Sequence, residues 1–469
     1  MGRMATSTAE WVARRVDIMR ATYQVATVDN VTHALAGLLL ADATTAWVAA
    51  RSVRLQPEAE PTGLRSTRTA FQKTAVLLGI IAAELPDADL LYSGPVLGMG
   101  KLGYLLHHRG HTHTLLFALA SAVVLWGIAL ALHKWRQRRR DEAPWCSMQR
   151  WALLWLAVLG TLSHILLDFT NNYGVHPFWP LNSRWFYGDA VFIVEPWLWV
   201  AAIPPLLWGA RSRWGRGLLG GLLLLMLAAS WLLGQLSPPV ALAVTIGAVL
   251  WTVTHWWIAR QHTQPRMLPV LLGAAAWIVV ESTFFTATAR AYAVVDAAVA
   301  PGTLADIVLT PGVSNPLCFS AIVVTYDDVL YRVTTAVVAP WSSIRSARSC
   351  AGDRDDAAFG TLRGVSPSPL TASSAMVWRQ TWSASRREMV ALAGTNCEFS
   401  AALRFMRVPV WQAAPNGRIS VADLRYGVNG GGFAALDLAP QTAGCALPEH
   451  AWVPGWEPPR QDVLDGVLR

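Results

Sequence analysis

Four histidines fall within the seven residues His107-His108-Arg109-Gly110-His111-Thr112-His113, out of eleven in the 469-residue chain. Imidazole binds transition metals and changes charge near neutral pH. Such a cluster at the mouth of a long apolar run, Leu115 to Leu132, suits a metal centre better than a packing role. Three other short segments carry polar residues of the same kind. Asp29-Asn30-Val31-Thr32-His33-Ala34 opens the first apolar stretch, with Asp29, Asn30 or Thr32 able to cap a helix starting near His33. Glu84-Leu85-Pro86-Asp87-Ala88-Asp89 closes the second stretch. His164-Ile165-Leu166-Leu167-Asp168 sets an imidazole and a carboxylate at i and i+4, on one helical face.

Imidazole with carboxylate and no thiolate favours Zn²⁺, with Mn²⁺ and Fe²⁺ less well suited. The candidate ligands are His33, Asp87, Asp89, His108, His113, His164 and Asp168. One four-coordinate zinc needs fewer, so two or three ions are expected. Such a cluster can activate a water and clamp the oxygens of a phosphoester. Arg109 has the planar fork that matches two phosphate oxygens, and Glu84 or Asp89 can accept a proton. His107 and His111 read either as further ligands or as hydrogen-bond donors behind the ligands. Each segment alone has an ordinary explanation: a helical His–Asp pair, a Pro-Asp turn, a boundary histidine. What binds them together is depth.

The elements around them set that depth. The chain is 53% hydrophobic and only 14% charged, against about 25% charged in soluble domains. Apolar runs able to cross ~30 Å of hydrocarbon recur through the first 290 or so residues and then stop. The pattern predicts about eight transmembrane helices, near 33–50, 70–91, 113–133, 150–168, 190–210, 217–235, 239–258 and 268–289. Asp42 interrupts the first, and Glu84, Asp87 and Asp89 the second. Basic residues concentrate in alternate loops. Arg51, Arg54, Arg65, Arg68 and Lys73 form one group, and Lys134, Arg136, Arg138, Arg139, Arg140 and Arg150 the next. Arg211, Arg213 and Arg216, then Arg260 and Arg266, continue the series, while the intervening loops hold only Lys101, Arg109 and Arg184. The first set is therefore cytoplasmic and both termini lie outside. On that topology all four polar segments meet at the outer membrane boundary. Their basic loops also account for most of the +8 net charge, so nucleic acid is not an expected partner; the lipid bilayer is.

The ends of the chain read differently. Residues 1–28 form a polar tail without the three-part pattern of a cleaved signal. Arg3, Arg14, Arg15 and Arg20 sit on its supposedly outer side, which fits an interfacial amphipathic helix or a start at Met19. Residues 29–290 form the membrane-embedded unit. From 291 to 469, short β-branched and aromatic runs at Cys318–Thr325, Val329–Val338, Glu398–Met406 and Ile419–Tyr426 alternate with Gly, Pro, Ser and Asp clusters. They predict a mainly-β extracytoplasmic domain that serves as lid or support. Cys318, Cys350, Cys397 and Cys445 all fall there, as expected of an exported disulfide-bonded domain, with three pairings open; Cys146 falls in a cytoplasmic loop.

The motif order resembles a known family. Thr32-His33-Ala34-Leu35-Ala36-Gly37, Leu85-Pro86-Asp87-Ala88-Asp89, His108-Arg109-Gly110-His111-Thr112-His113-Thr114 and Ser163-His164-Ile165-Leu166-Leu167-Asp168 are similar to the YdjM/YbcI-type bacterial inner-membrane proteins, described as LexA-regulated, membrane-bound, metal-dependent hydrolases. Thr114 stands where that pattern ends in Ser, and Gly174-Val175 with Trp179-Pro180 resembles its Gly-Val-x-x-x-Trp-Pro continuation. The resemblance covers residues 29–190 and implies an inner-membrane location with the site facing the periplasm. In ligand order the family is distantly similar to zinc-dependent phospholipase C and P1 nuclease, which implies a phosphoester, lipid-like at the outer leaflet. The expected protein is thus a multi-span α-helical membrane hydrolase with a C-terminal β domain. The alternatives are a metal-ion transporter or channel, and a non-catalytic protein with a structural metal site.

Overall fold

The computed structural model describes residues 30–52, 62–93, 99–140, 142–210, 212–261, 267–300, 303–352, 357–360, 362–428, 432–440 and 452–465. The N-terminal tail, Asp29 and Cys445 lie outside them. The chain begins with α1 (Asn30–Ser52) and α2 (Thr62–Glu84), followed by a 3-10 turn at Leu85–Asp89. Next come two short helices, α3 (Leu90–Ser93) and α4 (Gly100–His107), and a second 3-10 turn at His111–His113. Six further helices complete the helical part: α5 (Leu115–Arg140), α6 (Ser147–Thr170), α7 (Pro196–Gly209), α8 (Arg213–Leu232), α9 (Pro238–Gln261) and α10 (Met267–Asp296).

Among the described residues, α1, α5, α6, α8, α9 and α10 are the six helices long and apolar enough to cross a membrane. The spans expected at 70–91 and 190–210 do not meet that test. α2 carries Arg65, Arg68, Lys73 and Glu84 among its apolar residues, and the segment after it winds as a 3-10 turn. α7 has 14 residues, about 21 Å at 1.5 Å per residue, against the ~30 Å of a bilayer core. α7 is nonetheless enclosed by the protein, with Leu198 to Leu206 buried.

Burial sorts the helices. Half of the apolar window of α1 and of α6 is covered by the rest of the protein, but only 17% for α8 and α10. α1 stands between two groups. Its Ala41 and Val48 pack with Phe71, Ala75 and Leu78 of α2, Ala122 of α5 and Leu153 and Leu156 of α6. Its Leu35 and Leu39 pack with α7, Leu219 and Leu223 of α8, Val244 of α9 and Phe284 of α10. Glycine permits the closest crossing: a Cβ on Gly37 would run into the Gly79 backbone, and one on Gly160 of α6 would lie 2.7 Å from Ala82 Cβ. The outward residues of α5, including Leu116, Leu119 and Val123, are exposed, as a lipid-facing surface requires.

α10 runs on into a C-terminal β-sheet domain. Strands β1 (Leu304–Gly312), β2 (Asn315–Tyr326), β3 (Leu330–Val338), β4 (Ser366–Pro367) and β5 (Met376–Ser385) form an antiparallel sheet in the order β1-β2-β3-β5-β4. Strands β6 (Pro409–Ala413), β7 (Ile419–Asp423) and β8 (Ala435–Leu438) form a second, three-stranded sheet. Helices α11 (Ala347–Ala351), α12 (Arg386–Thr395), α13 (Cys397–Ala402) and α14 (Gln461–Asp465) connect and flank them. The strand expected at Glu398–Met406 is helical as far as Ala402 and a turn after it, because the Asn396 side chain accepts the Phe399 amide (3.0 Å) and caps α13. Cys318 is bonded to Cys350, Cys397 is also disulfide-bonded, and Cys146 is a free, exposed thiol.

Period-2 alternation gives the larger sheet two buried faces. Ile307, Leu309, Phe319, Ala321 and Val323 meet Ala287, Ala291 and Val295 of α10. Val308, Val324, Tyr331 and Val333 join a core that also contains Leu102, Leu105 and Leu106 of α4, with Tyr173 and Trp185. The segment carrying the histidines is therefore packed into the same core as the β-sheet domain.

Candidate metal centre

Each side chain of the site is delivered by the end of an element. His33 lies on the first turn of α1, Asp87 and Asp89 on the turn after α2, His113 on the turn before α5, and His164 and Asp168 on the last two turns of α6. The i,i+4 spacing brings His164 Nε2 within 3.3 Å of Asp168 Oδ2. The Nε2 atom of His113 lies 2.8 Å from Asp168 Oδ2, 3.4 Å from Asp87 Oδ1 and 3.1 Å from His164 Nε2, and His164 Nε2 is 3.3 Å from Asp87 Oδ1. A tetrahedral zinc with bonds of about 2.0–2.1 Å spaces its ligand atoms about 3.3 Å apart. These four side chains fit that figure, and all but Asp87 are fully buried.

The outer nitrogens of both rings are already engaged. His164 Nδ1 donates to the Ala83 carbonyl at the end of α2. His113 Nδ1 lies 3.0 Å from Thr112 Oγ1 and 3.4 Å from Asp89 Oδ2. Holding the proton on Nδ1 leaves each Nε2 with a lone pair, so two lone pairs and two carboxylates converge on one small volume. A cation, metal or proton, must sit there. Burial by itself raises the Asp87 carboxyl, but His164 and His113 outweigh it and hold it well below the usual carboxylate range.

Asp89 works behind this set. Its Oδ1 faces His108 Nδ1 (3.0 Å), while its Oδ2 accepts the Arg109 amide (3.0 Å) and the Thr112 hydroxyl (2.8 Å). Burial pushes Asp89 up, yet His108 and His113 bring it to about 2. Asp87, Asp89 and His108 also form a second group with metal-ligand spacing, sharing Asp87 with the first. His33 lies at the edge: its ring stacks on His164 (centroids 3.8 Å) and its Nε2 is 3.3 Å from Asp168 Oδ1. Glu84 falls outside both groups.

Arg109 is buried, and its guanidinium is directed inward. One nitrogen sits 2.9 Å from Asp168 Oδ1, another donates to Asn171 Oδ1 (3.1 Å), and Tyr173 lies beneath it at 4.8 Å. The arginine read from sequence as a phosphate binder is thus engaged with a ligand carboxylate. His107 and His111 face away from the ligand atoms, toward the C-terminal domain. His107 Nε2 donates to the Trp452 carbonyl (2.8 Å), and His111 stacks on Trp452 at 4.8 Å. Burial pushes His111 down to about 4, so the ring is neutral.

Thr112, Asn171, Tyr173, His176 and Trp456 are site neighbours outside the candidate ligand set, although residues 171–187 stand out in the sequence as a polar and aromatic loop that could shape an entrance or form an interfacial belt. Asn171 and Tyr173 had a signal, since they directly follow the Asp168 helix. Trp456 had none: it reaches the Leu106 carbonyl from 350 residues away.

No curated protein and no solved structure matches the chain. The likeness in ligand order to zinc-dependent phospholipase C and P1 nuclease therefore rests on residue order alone. The family comparison is different: its match runs beyond residue 190, through α7 and α8, and leaves the β-sheet domain outside it. Residues 28–238, which carry all four ligand segments, match the family model of the YdjM inner membrane protein, and it is to this family that this stretch of the chain, α1 through α8, is similar.

Proposed function

We propose that the protein is a membrane-bound, metal-dependent hydrolase acting on a phosphoester. The observation that carries this reading is the convergence of His113 Nε2, His164 Nε2, Asp87 and Asp168 at 2.8–3.4 Å, with the outer nitrogens of both rings engaged elsewhere. Donor set and spacing suit Zn²⁺ first, with Mn²⁺ or Fe²⁺ as weaker fits. Asp87, Asp89 and His108 offer the place for a second ion, with His33 beside Asp168 as a further ligand. When bound, the metal would polarise both a water and the phosphoester. The protein's own residues do the rest. Asp89 and Thr112 orient His113, Ala83 orients His164, and Arg109 with Asn171 aims Asp168. Glu84, at the junction of α2 and the ligand turn, or Asp89 on that turn would accept the proton.

The substrate class follows from surroundings. Leu91, Leu115, Leu116, Phe178 and Leu181 are exposed on the segments that carry or adjoin the ligands. An apolar rim at the head of a membrane helix suits a lipid-borne phosphoester. With the basic loops taken as cytoplasmic, the site and the β-sheet domain would face the periplasmic side of a bacterial inner membrane.

A second reading has one observation in its favour. A structural zinc is closed at four ligands, and this set is closed and almost fully buried. Turnover separates the two. Purified protein with Zn²⁺ or Mn²⁺ is expected to hydrolyse one of phosphatidic acid, phosphatidylglycerol or an isoprenoid phosphate, and the His113→Ala variant to hydrolyse none. Stoichiometric metal without turnover on any of them would leave the structural reading.

A further inference from the structure

Arg109 has φ 59°, a left-handed conformation in a residue that is not glycine. Such a backbone is strained in a residue with a Cβ and persists only when its surroundings hold it. This residue aims two carboxylates at once: its amide donates to Asp89 and its guanidinium pairs with Asp168. The support comes from behind. The Nδ1–H of His176 donates to the Arg109 carbonyl (3.4 Å). The His176 ring is held between Trp185 (3.9 Å) and Trp456 (3.8 Å, nearly parallel). Burial pushes His176 down to about 3, so it works as a neutral donor.

Trp456 belongs to the C-terminal segment and has no exposed surface. Its indole N–H donates to Leu106 on the last turn of α4 (2.8 Å). Its ring lies against Gly110, where a Cβ would come within 3.1 Å of it. One residue further, Glu457 donates its amide to Ser183 (3.1 Å) and pairs with Arg184 (2.9 Å). The segment thus grips both loops that border the site, 106–110 and 176–184. None of these residues reaches a ligand atom.

We infer that Trp456 and His176 are positioning residues for the metal centre, so that docking of the C-terminal segment and filling of the Asp87–His113–His164–Asp168 site are coupled. The inference rests on the metal-binding reading above. Coupling between two sites is reciprocal: the docked segment tightens cation binding, and a bound cation tightens the segment. The β-sheet domain, which lies outside the family match, is on this account part of the site's scaffold.

The test uses the full-length protein in detergent, Zn²⁺ alone as probe, and competition with a chelator. Loss of a hydrogen-bond partner directly behind a metal ligand typically weakens metal affinity by about 10–100-fold. His176 and Trp456 act one residue further out, through Arg109 and its loop, so a loss near the lower end, roughly tenfold or somewhat less, is expected for His176→Leu and Trp456→Leu. His176→Asn, whose amide can occupy the Nδ1 position, is expected to restore most of the affinity. A purely structural role would lower melting temperature without that rescue. A second readout needs no variant at the coupling residues: Zn²⁺ is expected to slow proteolysis of the wild-type C-terminal segment and to leave its cleavage in His113→Ala unchanged. Wild-type Zn²⁺ affinity in both Leu variants, or equal wild-type cleavage with and without Zn²⁺, overturns the coupling and leaves the metal reading standing. A wild-type protein with no saturable Zn²⁺ binding overturns both.

Discussion

At the scale of single residues, the site separates side chains that face the shared volume from those that aim them. His113 and Asp168 are the hinge of the set, since Asp168 Oδ2 to His113 Nε2 is its shortest contact at 2.8 Å. Removing either leaves three donors at most, so His113→Ala and Asp168→Ala are each expected to purify without bound metal; elemental analysis against wild type decides it. Arg109→Lys tests the aiming role. An ammonium cannot reproduce the planar fork that reaches Asp168 and Asn171 together, so Zn²⁺ affinity is expected to fall roughly tenfold, as for other outer partners of metal ligands. Retained affinity in Arg109→Lys would make its charge, and not its geometry, the relevant property. Sequence gave the chemical types here with little ambiguity. It could not rank them, because Asp87 and Asp89 are two residues apart on one turn and differ only in what each carboxylate meets.

Elements act by bringing their ends to one level. The α1–α2 crossing depends on Gly37 and Gly79, whose backbones touch, and the α2–α6 crossing on Gly160 against Ala82. Gly160→Leu would wedge α6 from α2 and move His164 away from Ala83. Overpacking of this kind costs about 1–3 kcal/mol, so a lower melting temperature and weaker metal binding are expected together. At the head of α7, Glu195 accepts from the Trp197 amide (3.1 Å) and from the Ser314 amide (3.0 Å) and hydroxyl (2.8 Å), clamping the β1–β2 turn to the helix. Burial lifts this carboxyl to about 7, above the ~4.3 of an unfolded chain. A raised folded pKa means that the native state holds the proton more tightly. Its contribution to stability is therefore complete below about 4.3 and lost as pH rises through 7. Melting temperature is expected to decline across roughly pH 4 to 7 and level off above, and Glu195→Gln to flatten that decline; an identical slope in both proteins would remove Glu195 as its source.

For the whole molecule, the β-sheet domain is joined to the helices by buried charge as well as by apolar packing. Arg407, on the approach to β6, bonds Asp189 (2.8 and 2.9 Å) and Asp306 (2.8 and 3.0 Å), and Arg460 also reaches Asp306 (3.0 Å). Arg425 donates to the Asn172 carbonyl (2.6 Å) in the loop that follows Asp168. Breaking such a pair strands the remaining charge at a cost of about 3–5 kcal/mol. Arg407→Met is therefore expected to lower the melting temperature sharply and to expose the 171–189 loop to protease, whereas Arg184→Met, at an exposed pair, should change either by little. The domain read from sequence as a lid or support shares a core with α4, and that sharing rests on contacts between residues hundreds of positions apart.

By itself the sequence determined what local patterns can encode. Hydropathy marked the candidate membrane helices, the i,i+4 rule set His164 over Asp168, and the motif types named the side chains of the other three of the four segments that converge with them. Its eight spans exceed the six candidates among the described residues, because α2 carries charge and α7 is short. Only the tertiary structure decided which carboxylate faces the shared volume, that Arg109 turns inward to Asp168, and that Trp456 closes the back of the site. Those outcomes depend on separations of a few tenths of an ångström and on partners far apart in the chain, and no periodicity or spacing records either.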